Sequence, residues 1–275
     1  MSARRALAAF AVGSVALALL AACASSGDAD ASATPDASAP AAPAGAEHSG
    51  ELTIFAAASL GGVFDELATR FETLHPSLDV LPVTYDGSSV LATQLIEGAP
   101  ADVFASADEP NLDRVADEGL VAGEPELFAT NVLEIAVQPG NPLGIEGLDD
   151  LADGSAPPVV VVCAAEVPCG RAAATLLADA GVELSPASEE QNVSAVLTKV
   201  RTGEADAGLV YVTDVRAADG DVEGIAIAGA DAATNRYPIA ALTGAANPEA
   251  AAAFVEFVRS PEGAEVLAEF GFGAP

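Results

Sequence analysis

Positive charge is what this chain has least of. Ten Lys and Arg stand against 41 Asp and Glu, a formal net charge of −31 at pH 7. With no basic patch to release counterions, nucleic acid is excluded as a partner. Histidine is almost as scarce. Of the two in 275 residues, His48 lies in a low-complexity stretch and His75 precedes Pro76 at the end of a helix pattern. Neither is positioned as a catalytic base or as one of a set of metal ligands. The acidity reads first as solubility. It also means that any bound anion must be held by local neutral donors, because the global field repels it.

Large side chains are missing from the segment Ala24 to Gly50, which holds only Ala, Ser, Pro, Gly, Thr, Asp, Glu and His48. It can bury nothing and is expected to be a disordered tether. Before it, Arg4 and Arg5 precede an apolar run from Ala6 to Ala22 that ends Leu20-Ala21-Ala22-Cys23. That order describes a secretory signal over 1–22. Its end resembles the bacterial lipoprotein box, in which the cysteine is lipidated and becomes the mature N-terminus, so 23–50 reads as lipidated Cys23 plus tether. An uncleaved anchor is the alternative, but the 17-residue run is short for one. Losing the signal removes Arg4 and Arg5 and leaves 8 − 41 = −33. Cys163 and Cys169 then remain of three cysteines. In an exported protein they are expected to form a disulfide, and a metal site at CxxxxxC would lack companion ligands.

The rest is rich in short apolar runs. Leu52–Phe55 reads as a buried strand, followed by three alanines and Ser59. Apolar residues then recur at Leu60, Val63, Phe64, Leu67, Phe71 and Leu74, one face of a helix. Ser59 is expected at the N-cap of that helix, where backbone N–H groups and the helix dipole favour an anion. A plain capping role is the alternative. The pattern repeats. A strand over 78–85 leads into Asp86-Gly87-Ser88-Ser89 and a helix; strands at 101–106, 132–137, 158–163, 209–212, 225–227 and 237–242 alternate with further helices. This alternation predicts an α/β protein with mostly parallel sheets, which bind ligands beyond the strand C-termini. Ser59, Ser88, Cys169, Val193 and Tyr211 all fall at strand ends or helix starts.

FAAASL, GSSVLATQLIEGAPADVFASAD, VPCG, GLVYVTD and FVEFVRSPEGAEVLAEFGF, in that order, resemble the molybdate-binding lipoproteins of ABC importers, of the type II periplasmic-binding-protein class. The resemblance spans Glu51 to Phe272. It implies two lobes, 51–129 with 238–275 and 130–237, each a mainly parallel sheet flanked by helices, closing on a ligand by a hinge. It implies a monomer with no cofactor and no enzymatic activity. The protein would be lipid-anchored on the outer face of the cell membrane and would deliver molybdate, and tungstate with it, to a permease and its ATPase. The only metal would be that of the oxyanion. Carried over by motif, the ligand residues are Ser59 and Ser88 through hydroxyls, Cys169 and Val193 through backbone N–H groups, and Tyr211 through its phenol. Better-known members have alanine where this chain has Cys169, and many lack the Cys163/Cys169 pair. Asn192 also replaces a commonly acidic residue.

A tetrahedral dianion offers only acceptors, which suits a set of neutral donors. Half a dozen hydrogen bonds to a charged partner amount to about 9–18 kcal/mol gross, less the cost of association. A protonated oxyanion such as phosphate would need an acceptor as well, and Asp86 and Asp214 are close enough in sequence to be candidates. Sulfate, phosphate or a small carboxylate is the alternative ligand. A carboxylate binder usually wants an arginine clamp, and for Arg171 and Arg236, the arginines near the site loops, solvated surface roles are expected. An enzyme is the alternative from another class. Ser59 and Ser88 lie outside any GxSxG pattern, and a nucleophilic Cys169 would need a free thiolate.

Overall fold

The computed structural model describes residues 47–152 and 157–275. The expected signal peptide, Cys23 and nearly all of the tether lie outside the described residues. The described residues form one compact unit.

Two five-stranded sheets carry the fold. The first has the order β4-β2-β5-β12-β6, from β2 (Ile54–Ala57), β4 (Thr84–Asp86), β5 (Val103–Ala105), β6 (Glu126–Asn131) and β12 (Asn235–Ala241). The second has the order β11-β7-β10-β8-β9, from β7 (Leu133–Val137), β8 (Val160–Cys163), β9 (Ser188–Glu190), β10 (Ala207–Tyr211) and β11 (Glu223–Ala226). A small parallel pair, β1 (Ser49–Leu52) with β3 (Ser77–Val80), lies apart. Parallel pairing holds for β4-β2-β5 in one sheet and β10-β8-β9 in the other; β6, β7, β11 and β12 pair antiparallel. The antiparallel strands include those at the two crossings, where β6 hands the chain to β7 and β12 brings it back.

The central strands are buried on both faces, as their unbroken apolar runs require: all four residues of β2 and of β8 are buried. Helices cover both faces: α1 (Gly61–Leu74), α2 (Ser88–Ile96), α3 (Glu109–Asp117), α7 (Pro248–Arg259) and α8 (Pro261–Glu269) with the first sheet, α4 (Pro168–Ala180), α5 (Val193–Arg201) and α6 (Val212–Ala217) with the second. The side of α1 bearing Val63, Phe64, Leu67 and Phe71 faces one core. A separate core of Leu133, Ile135, Val160–Cys163 and Leu209–Tyr211 fills the second lobe.

Three expectations change. Ser59 is not the N-cap of α1. It lies inside a 3₁₀ turn, Ala58–Leu60, and Leu60 occupies the cap position without a side-chain cap bond. The tight turn leaves the Ser59 hydroxyl free for a partner elsewhere. The single strand over 78–85 is two strands in different sheets, because Pro82 in the break has no N–H for a ladder. Glu126–Asn131, with its polar ends, is a strand that apolar runs do not reveal. The expected lobe divisions at 129/130 and 237/238 fall inside β6 and β12.

Candidate functional site

Three helix starts and one 3₁₀ turn converge between the sheets. β2 ends into Ala58–Leu60, β4 into α2, β8 through the Ala164–Val167 loop into α4, and β9 through Gln191-Asn192 into α5. The first-turn N–H groups of a helix have no intrahelical acceptor and carry the positive end of its dipole. Ser88 and Val193 are the first residues of their helices, and Cys169 follows Pro168 at the start of α4. Ser59, Ser88, Cys169, Val193 and Tyr211, scattered over 153 positions of sequence (211 − 59 + 1), line one small cavity together with Ala57, Ala58, Gly87, Ala107, Val167 and Pro168. Its volume is about 10 Å³, room for the centre of a single small particle. No carboxylate and no cationic side chain lines it.

Three hydroxyls line it, those of Ser59, Ser88 and Tyr211. The Ser88 oxygen accepts from the Ala107 N–H at 3.0 Å, and Ala107 is itself fixed by Asn235 Nδ2 donating to its carbonyl at 2.9 Å. With its acceptor role used, the Ser88 proton remains to be given. Ser59 Oγ lies 3.0 Å from the hydroxyl of Tyr237. Tyr237 is completely buried, and its oxygen accepts a long bond, 3.5 Å, from Asn131 Nδ2. If Tyr237 donates to Ser59, the Ser59 proton too is left for a guest. Tyr211 is 1% exposed, and its hydroxyl has no hydrogen-bond partner among the described residues. Burial above all, then the neighbouring Tyr237, Asp108 and Asp214, push its ionisation well above the ordinary tyrosine range, so it stays an O–H donor. Asn192 caps α5, its Oδ1 accepting from Ala195 N–H at 2.9 Å, so the amide does the work of the commoner acid.

Cys163 and Cys169 are joined by a disulfide, their Cα atoms 5.7 Å apart. A thiolate nucleophile at Cys169 is thereby ruled out. The bridge ties the end of β8 to the start of α4, while Gly170 lets that helix start pack on the Ala164 carbonyl, which a Cβ would meet at 1.9 Å. Neither candidate acceptor reaches the cavity. Asp86 Oδ1 accepts from Gly87 N–H and Asn192 Nδ2 at 2.7 and 2.9 Å, and Asp214 Oδ2 from Tyr211 N–H at 2.9 Å. Arg236 is exposed beside Glu109. Arg171, its side chain still 37% exposed, is not simply solvated: it pairs with Asp108 at the start of α3, and the expected surface role is corrected to that of a part-buried ion pair. Sequence reading also missed Tyr237, whose partner lies 178 residues away.

The profile of the bacterial extracellular solute-binding proteins matches residues 52–273. This chain belongs to that family. Members bind solutes, and the chain is a binding protein, not an enzyme. It is 42% identical over 224 residues to the molybdate-binding protein ModA of Mycobacterium tuberculosis, covering 82% of this chain and 85% of that one. Its fold matches the periplasmic molybdate-binding protein of Azotobacter vinelandii with a TM-score of 0.68 at 19% identity, over 82% and 99% of the two chains. It also matches the sulfate-binding protein SubI of M. tuberculosis, with a TM-score of 0.70 at 18% identity over 82% and 86%. The fold is thus common to binders of different oxyanions, and the substrate has to be argued from the site.

Proposed function

We propose that this protein captures molybdate, and tungstate with it, between its lobes and delivers the anion to an ABC permease and its ATPase. The observation that carries the reading is the lining of the cavity: neutral donors from three helix starts, two serines and one buried, unpartnered tyrosine hydroxyl, with no acceptor carboxylate among them. The 42% identity to a molybdate-binding protein supports the substrate. In this reading Ser59, Ser88 and Tyr211 donate through hydroxyls and Cys169 and Val193 through backbone N–H groups. A fully deprotonated tetrahedral dianion accepts every one. Phosphate, which keeps a proton near neutrality, would bury an O–H without an acceptor, and site-built hydrogen bonding rejects such a mismatch strongly.

In this reading the lobes divide after β6 and before β12 rather than inside those strands, and they close about the two crossings by a hinge. Lipid on Cys23 would hold the protein, as a monomer, at the outer face of the membrane beside its permease. Among the described residues no helix is long and apolar enough to cross a membrane.

Calorimetric titration with molybdate, tungstate, sulfate and phosphate tests the proposal. Tight one-to-one binding of the first two and weak binding of the others is expected. Tight binding of phosphate would overturn the donor-only argument, and preference for sulfate would move the substrate within the same fold.

A further inference from the structure

Arg171 lies in the first turn of α4, two residues beyond Cys169, and its side chain leaves its own lobe. The guanidinium donates from Nε at 3.0 Å and from Nη2 to the same carboxylate oxygen of Asp108. From Nη1 it donates to the Glu166 carbonyl at 2.7 Å, in the loop that leads to Cys169. Asp108 caps α3 from the first lobe, its other oxygen accepting from the Asn111 backbone and side chain at 3.1 and 3.0 Å. It is 6% exposed and follows Ala107, one of the cavity residues. A buried carboxylate beside a site for a dianion is adverse twice over, through its own desolvation and through like-charge repulsion. Nearby, Asn192 Nδ2 reaches Asp86 Oδ1 across the same cleft at 2.9 Å, and Gly87 packs on the Gln191 carbonyl, where a Cβ would meet oxygen at 2.0 Å. Arg171 itself does not line the cavity; it is not an arginine clamp on the ligand.

We propose that Arg171 is a positioning residue for oxyanion binding. It draws the start of α4, with the Cys169 N–H, across the cleft onto Asp108, and it cancels the carboxylate charge that would otherwise face the bound dianion. The inference rests on the oxyanion reading of the cavity. It adds a point that a neutral lining alone does not supply: a chain of charge −31 keeps a buried carboxylate next to a cavity residue silent by spending one of its few arginines on it.

The test is a double-mutant cycle with molybdate as probe, read by calorimetry, with a thermal melt of each variant to establish folding. Arg171→Gln should raise Kd roughly ten- to a hundredfold, at and below the lower end of the effect of breaking a fully buried charge pair, because the guanidinium is 37% exposed. Asp108→Asn keeps a side-chain oxygen for the α3 cap while removing the charge. Added to Arg171→Gln, it should recover at least threefold of the lost affinity, because the uncompensated carboxylate is gone. A merely structural role predicts no recovery, since the cross-cleft bond stays broken. Arg171→Gln within twofold of wild type, or a double variant no tighter than the single, overturns the proposal. Should Arg171→Gln fail to fold, Arg171→Met keeps the packing of the stem and serves in its place. If the wild type bound no oxyanion, the reading of the cavity would fall, and small-angle scattering would judge the latch alone. A wild type more compact than the Arg171 variant supports it, and equal radii of gyration overturn it.

Discussion

Tyr211→Phe separates binding from stability, because the two should move in opposite directions. The Tyr211 ring is packed in the second-lobe core, its centroid 6.1 Å from that of Tyr237, and a phenylalanine fills the same space. Only the oxygen is lost, and that oxygen makes no hydrogen bond of ordinary geometry among the described residues, although the Tyr237 hydroxyl lies near enough to bear on its ionisation. A buried, unsatisfied hydroxyl costs about 1–3 kcal/mol, so in the absence of oxyanion the variant should be the more stable protein. At roughly 2–4 °C per kcal/mol for a domain of this size, a rise in Tm of about 2–12 °C is expected. A hydrogen bond to a charged ligand is worth about 1.5–3 kcal/mol, so molybdate affinity should fall roughly ten- to 150-fold. Calorimetry and a thermal melt, each with and without molybdate, measure both numbers on one preparation. The melting curves should cross: the variant melts higher alone and lower at saturating ligand, by linkage. A variant that melts lower alone and binds within twofold of wild type would refute the reasoning, since the hydroxyl would then be serving the fold rather than a guest.

Gly87→Ala should weaken molybdate binding more than tenfold with little change in melting temperature. Its φ and ψ of −59° and 137° suit alanine, but the added Cβ would stand 2.0 Å from the Gln191 carbonyl oxygen across the cleft; unchanged affinity would mean the lobes close some other way. Reducing the Cys163–Cys169 bridge should cost about 2 kcal/mol by loop entropy and loosen the Cys169 N–H. Both Tm and affinity should therefore drop on adding dithiothreitol, and a loss of Tm without loss of affinity would argue against a ligand role for that amide. Asp214 has its pKa raised to about 7, first by burial and then, against the bond from Tyr211 N–H, by Glu134. Between its ordinary carboxylate value and about 7 the folded state holds the extra proton, so this group subtracts stability as pH rises through that window, by up to about 1.4 kcal/mol per pH unit. Asp214→Asn, which keeps an acceptor for Tyr211 N–H, should therefore gain on wild type in melts run from pH 5 to pH 8; parallel curves would contradict the shift.

The positions that sequence made legible are those set by local rules. A strand that ends in small residues and serines before a helical period marks a helix start, and this brought out Ser59 and Ser88 without any knowledge of their partners. Cys169 and Val193 carry no such signature: a backbone donor can bear any side chain, and they came from resemblance of the surrounding motifs. Tyr237 and Arg171 were invisible for a different reason. Each matters through one long-range contact, to Ser59 at a separation of 178 residues and to Asp108 at 63, and a single sequence says nothing about which distant atom a side chain will meet. The Ser59 cap failed where two local options compete, since a serine after alanines fits a 3₁₀ turn as well as an N-cap, and the packing of its hydroxyl against Tyr237 decides. Pro82 was read as part of one strand over 78–85, and that Ser77–Val80 and Thr84–Asp86 join different sheets depends on the tertiary arrangement.

How an acidic protein holds a dianion follows from where its charges are spent. Long-range repulsion is screened within about 8 Å at physiological ionic strength, so most of the 41 acids bear on approach rather than on the bound state. What bears on the bound state is the shell of carboxylates closest to the cavity, and each is engaged. Asp86 is held by Gly87 N–H and Asn192, Asp108 by Arg171 and Asn111, and Asp214 by Tyr211 N–H with its pKa near neutrality. Two of these engagements, Asp86 with Asn192 and Asp108 with Arg171, exist only when the lobes meet. The contacts that close the cleft are thus the contacts that remove negative charge from the site. If the lobes close by the proposed hinge, closure and anion affinity are coupled: opening would break both cross-cleft contacts as it separates the donors. That coupling gives a ligand differential affinity for the closed form, which is the condition any ligand must meet to drive a conformational change.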